Sequence, residues 1–188
     1  LLGRGDDELV QRHLRVCHDV CHAAVMFEDQ AEVLAAYDEA GLAVGKVQIS
    51  SAVRARFDAL DDDARPHALD ALRRFREERY LHQTMVRSRS GDETFFEDLP
   101  RAIAAGGETP RGEWRVHFHV PIDVESLGEL ETTQDEIVRC LELIRDREDA
   151  RDLEVETYAW DVLPEEHRPG TLDESIAREL AWLQERLA

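Results

Sequence analysis

The chain has 188 residues, 43% of them apolar, which is enough to bury one core of ordinary size and too little for two large domains. Against 42 aspartates and glutamates stand only 23 lysines and arginines, and the formal charge of −19 disfavours nonspecific grip on nucleic acid or on an anionic membrane. No apolar run approaches the roughly 18 to 20 residues of a membrane span. The three cysteines, Cys17, Cys21 and Cys140, read as free thiols of a reducing compartment, so the expected location is cytoplasmic.

Residues 1 to 14 read as part of a polar amphipathic helix with no signal-peptide core, and a start at Leu1 rather than methionine implies further chain upstream. Short runs rich in valine and aromatics predict strands at 15–19, 44–49, 114–120 and 153–158. Between them lie helices with start signals. Asp29 and Glu32 precede Val33, Ala36, Tyr37 and Ala40, with Gly41 as the stop. A helix over 63–76 tolerates Pro66 in its first turn and turns Leu69, Leu72 and Phe75 inward. Thr133 and Glu136 form a capping-box pattern before Ile137, Cys140, Leu141 and Ile144. Thr171 and Glu174 repeat it before an apolar stripe of Ile176, Leu180, Leu183 and Leu187. Strand and helix alternate, giving an α/β chain of about four βα units in a single domain over 1–188, with an elaborated loop insertion at about 52–110. A closed eight-stranded barrel takes about 250 residues, so four units mean either an open sheet or half a barrel.

Three clusters carry chemistry. Asp19 and His22 follow the first strand three residues apart, where a carboxylate and an imidazole can converge on one cation; their mixed donors suit zinc, manganese or iron better than calcium. The same pair also reads as an aspartate capping a turn beside a backbone-bonded histidine. Cys17 and Cys21 lack a second cysteine pair to close a thiolate zinc site, and Cys17, inside an apolar strand, reads as core packing. Strand alternation puts His117 and His119 on one face, with Val116 and Phe118 opposite. Glu154 and Glu156 share a face of the last strand, and Glu156, nearer its carboxyl end, is the candidate ligand or base.

These residues resemble the xylose-isomerase-like barrel superfamily, which includes sugar isomerases, inosose dehydratases and endonuclease IV. The segment Val16-Cys17-His18-Asp19-Val20-Cys21-His22-Ala23 is similar to its fifth-strand signature, Glu156-Thr157 to its final metal-binding glutamate, and His117-Phe118-His119 to an Asp-x-His pair with histidine in place of aspartate. Gln48 stands where a sixth-strand histidine is expected. Closer still is the resemblance to the metabolite traffic family EboE, through Lys46-Val47-Gln48-Ile49-Ser50-Ser51, Tyr80-Leu81-His82-Gln83-Thr84, His117-Phe118-His119-Val120-Pro121, Thr132-Thr133-Gln134-Asp135 and Glu154-Val155-Glu156-Thr157-Tyr158-Ala159-Trp160.

The resemblance implies the C-terminal half of a xylose-isomerase-like TIM barrel, whose first four strands precede Leu1. It implies a divalent metal, zinc or manganese, held by Asp19, His22, His119, Glu156 and His117, with Gln48 and His82 binding substrate and with Glu156 and His82 as catalytic groups. The expected function is that of a metal-dependent isomerase, epimerase or lyase acting on a sugar- or polyol-like small-molecule metabolite. Its partners would be proteins of a bacterial gene cluster for metabolite biosynthesis and export. A noncatalytic metabolite carrier is the alternative, and the charge argues against an abasic-site endonuclease. Half a barrel leaves two sheet edges open, which predicts a homo-oligomer or dependence on the upstream half.

Overall fold

A computed structural model describes residues 7–156, 159–168 and 170–188. The start of the expected N-terminal helix, and Thr157 and Tyr158 of the expected last strand, lie outside the described residues. The fold is mixed α/β with two sheets. After α1 (Asp7–His13), strand β1 (Val16–Asp19) leads into α2 (Val20–Val25) and α3 (Gln30–Glu39), followed by β2 (Val44–Ile49). Much later comes β9 (Leu153–Val155), and the three strands form a parallel sheet in the order β1, β2, β9.

The second sheet begins where β2 ends. The chain passes through buried Ser50 directly into β3 (Ser51–Arg56), continues through α4 (Ala64–Arg73) to the β4 (Thr84–Arg87) and β5 (Glu93–Phe96) hairpin, then through α5 (Leu99–Gly106) to β6 (Glu113–Val120). With the short β7 (Ser126–Leu127) and β8 (Leu130–Thr132), these strands form a six-stranded antiparallel sheet in the order β5, β4, β6, β3, β8, β7. Helix α6 (Gln134–Ile144) precedes β9, and α7 (Leu172–Leu187) ends the chain.

The topology departs from four βα units in one half-barrel sheet. Among the described residues only three strands are parallel, and β6 pairs antiparallel with β3, from Ser51 opposite Val120 to Arg56 opposite Glu113. The physical reason is the lack of a helical crossover between β2 and β3, so the polypeptide simply runs on into a second sheet whose strands return by hairpin-like connections. The segment 52–110 is thus built mostly of sheet and helix: it supplies three strands and two helices to this layer.

Helix signals hold in α3, where the Asp29 carboxylate accepts from the backbone N–H of Ala31 and Glu32, and in α4, whose Leu69 and Leu72, with Phe75 just beyond, are buried. At α6 the apolar stripe is buried as patterned, but the capping pair serves tertiary structure: Thr133 Oγ1 accepts from Ala52 N at 2.9 Å, and Glu136 accepts from Arg115. In α7 the Glu174 carboxylate caps Thr171 N, yet the helix is rotated from its expected face. Ser175, Glu179 and Leu183 are buried, whereas Leu172, Ile176, Leu180 and Leu187 are exposed.

One core joins α4 and α5 to the Trp114, Val116, Phe118 and Val120 face of β6; another joins the parallel sheet to α3, α6 and α7. Gly112, just before β6, has φ +78°, and a Cβ there would stand 2.2 Å from the Arg87 carbonyl oxygen. Backbone cannot swing aside as a side-chain tip can. Gly112→Ala is therefore expected to cost about 1–3 kcal/mol from strained backbone, read as a lower denaturation midpoint; an unchanged midpoint would show that the β4–β6 end relaxes freely.

Candidate functional site

The carboxyl edge of the parallel sheet meets the carboxyl end of β6 at the junction between the two sheets. Asp19 ends β1, Gln48 and Ser50 flank the end of β2, and Glu156 follows β9 with its N–H bonded to Ile49 O at 3.2 Å. Helix α2 packs across this junction against β2, β3 and β6, bringing Cys21 and His22 over His117 and His119.

Asp19 caps the helix that follows it. One carboxylate oxygen caps α2, accepting from His22 N at 3.0 Å and from Ser50 Oγ at 3.3 Å, while the other lies 3.9 Å from His22 Nε2. The His22 and His117 rings meet edge to face with centroids 4.3 Å apart. His117 Nε2 and His119 Nε2 are 3.1 Å apart, and His119 Nδ1 lies 3.6 Å from a Glu156 oxygen, which accepts from Gln48 Nε2 at 2.6 Å. Asp19, His22, His117, His119, Glu156 and Gln48 are thus gathered in one place from four strands and a helix.

The electrostatics keep the imidazoles neutral. Burial, reinforced by the neighbouring His119 and His22, lowers the pKa of His117 to about 3; burial lowers that of His119 to about 4, with Asp19 opposing. Glu156 moves the other way: burial and the nearby Asp19 carboxylate raise it above the ordinary carboxyl range, partly offset by its bond to Gln48. A neutral imidazole keeps a proton on one ring nitrogen and offers a lone pair on the other, and that lone pair is what first-row metals bind. A tetrahedral zinc with bonds of about 2.0–2.1 Å would hold two histidine nitrogens about 3.3 Å apart, close to the 3.1 Å observed between His117 and His119. The donor set therefore fits a divalent first-row cation.

His82 is not brought into this group. It is buried against Phe118, on the other face of β6, with Nδ1 3.2 Å from the His117 carbonyl and Nε2 3.1 Å from Glu77 Oε1. It supports the strand from behind. Glu154 is exposed and pairs with Lys46 at 2.5 Å, so the two glutamates of β9 divide into a surface pair and a site residue. Cys17 Sγ donates to Gln48 Oε1 at 3.1 Å, at the rim.

Sequence reasoning missed two contributors. Cys21 packs against Val25, Ala52 and Met85, but its sulfur also belongs to a group with His117 and His119 whose donor atoms all lie within 4.8 Å of one another. Its position two residues after Asp19 and one before His22 was the available signal. Ser50, which steers Asp19, carries no signal of its own.

Comparison with family models, curated proteins and solved structures finds no match for this chain. Among the described residues no helix is long and apolar enough to cross a membrane.

Proposed function

We propose that the chain carries the metal site of a metal-dependent enzyme, an isomerase, epimerase or lyase acting on a sugar- or polyol-like metabolite. The observation that carries the reading is the convergence of Asp19, His22, His117, His119 and Glu156 where three parallel strand ends meet β6. The half-barrel relationship belongs to the same proposal; its support is the placement of Asp19, Gln48 and Glu156 at the carboxyl ends of parallel strands, where barrel enzymes build their sites.

Asp19, His22, His117, His119 and Glu156 would hold the cation, and a bound divalent metal polarises a substrate carbonyl or hydroxyl. Glu156 is the group suited to move a proton if it stands beside the cation rather than on it, with Gln48 fixing the orientation of its carboxylate. Ser50 does the same for Asp19. Partner proteins from a metabolite export cluster, or a second copy, would find a ready apolar surface in the exposed α7 stripe. A carrier without turnover is the second reading, favoured by Gln48, an amide where a histidine ligand is expected.

Metal analysis by mass spectrometry tests the proposal on protein purified without added metal or chelator, beside an Asp19→Ala, His22→Ala double variant. The expected result is near-stoichiometric zinc or manganese in the wild type and its loss in the variant. Folded wild-type protein that stays metal-free after metal addition would overturn the metal mechanism and leave the carrier.

A further inference from the structure

We infer that Cys21 is itself a metal ligand, forming with His117 and His119 a sulfur and two-nitrogen set that selects zinc over manganese. The inference rests on the metal reading above and narrows its metal. The thiol is fully buried on the first turn of α2, and its sulfur lies with one nitrogen of each histidine inside a 4.8 Å group. Burial, with the nearby Asp19 and Glu156 carboxylates, raises its pKa, so the metal-free thiol keeps its proton and only a bound cation would displace it. Cys21 packs against Val25, Ala52 and Met85 on one side, yet its sulfur also lies within 4.8 Å of a nitrogen of each of two imidazoles, whereas Cys140 packs in the core around α6.

The donor chemistry then decides the metal. A thiolate with two neutral imidazoles is a soft to intermediate set, and such sets favour zinc, whereas manganese prefers oxygen donors. Asp19 or Glu156 is placed to add an oxygen, leaving a mixed tetrahedral site. On binding, a metal–sulfur bond replaces the S–H bond, and the proton leaves to solvent.

Cobalt(II) replaces zinc and reports its ligands by colour. Titrated into the metal-free 188-residue protein, it is expected to give visible d–d bands of a tetrahedral ion together with a near-ultraviolet sulfur-to-cobalt charge-transfer band. Cys21→Ser should lose that band and bind zinc at least about 100-fold more weakly, the upper end of what losing even an outer partner of a site costs. Cys17→Ser and Cys140→Ser should keep both properties. Cobalt bound by the wild type without a sulfur band would overturn the Cys21 assignment while the metal reading stood, and this holds even if Cys21→Ser fails to fold. A band lost only in Cys17→Ser would move the sulfur ligand to the rim and overturn it as well. No binding of cobalt or zinc would defeat both.

Discussion

Replacing Arg115 by alanine is expected to lower the free energy of unfolding by about 3–5 kcal/mol, the range for stripping one partner from a buried ion pair. The guanidinium is almost fully buried and ties three elements together. Its Nε donates to Glu113 at 2.7 Å, and Nη1 donates to the Ala24 carbonyl at 2.7 Å and to Glu136 at 3.1 Å. Its carbon lies 4.2 Å from the centre of the Phe27 ring, which also receives Arg87 at 3.9 Å. Truncation leaves the largely buried Glu136 carboxylate without its cation, takes one of two donors from the Ala24 carbonyl, which keeps the Phe27 N–H, and opens a cavity beside Phe27. Arg115→Lys should recover little, because a single ammonium cannot span acceptors on β6, α2 and α6 at once. Since Arg115 holds the helix carrying Cys21 and His22 to the strand carrying His117 and His119, metal affinity should fall along with stability. Chemical denaturation of the metal-free protein reads the first effect; a loss under about 1 kcal/mol would place Arg115 among ordinary surface pairs.

The reason Arg115 escapes a reading of sequence is the reason much of this fold does. Local signals were legible: strand alternation separates His117 and His119 from Phe118, and the Asp29 cap and the buried faces of α4 and α6 follow from spacing. Pairing was not. Nothing in 44–56 marks that the chain leaves a parallel sheet at Ser50 and enters an antiparallel one: the sequence reads as a strand over 44–49, and 52–56, with its two arginines, falls in the expected loop insertion. Residues that serve two elements at once were misread for the same cause. Thr133 and Glu136 have the pattern of a capping box, and the structure spends them on Ala52 and Arg115. The gathering of Asp19, His22 and Glu156 was visible as strand-end chemistry, whereas the part played by Cys21 depends on how α2 packs over β6.

Glu179 gives the clearest pH signature in the molecule. Of the expected apolar stripe of α7 only Leu183 is buried, and this carboxyl takes a core position beside it, its oxygens accepting from Ile122 N at 3.1 Å and from Ser175 Oγ at 3.4 Å. Burial, with Asp123 nearby, pushes its pKa up to about 7, against the Ile122 and Ser175 hydrogen bonds and the pull of Arg178, whose Nε lies 3.5 Å from Asp123. The folded chain therefore holds a proton that the unfolded chain releases near its ordinary 4.5. Between those two values the unfolded state binds fewer protons, so stability falls as pH rises and the cost is complete above about 7, at about 3 kcal/mol. His117 and His119 slope the other way, since their neutral folded forms lose stability as acid protonates the unfolded chain below its ordinary 6.5. Comparing wild type with Glu179→Gln cancels the histidines and isolates Glu179. The amide keeps an acceptor for Ile122 N–H without a charge, so the variant should match the wild type near pH 4 and exceed it by about 2–3 kcal/mol at pH 8. A difference that stays constant between those two pH values would mean that Glu179 is solvated in the folded chain and that α7 does not seat its carboxyl in the core.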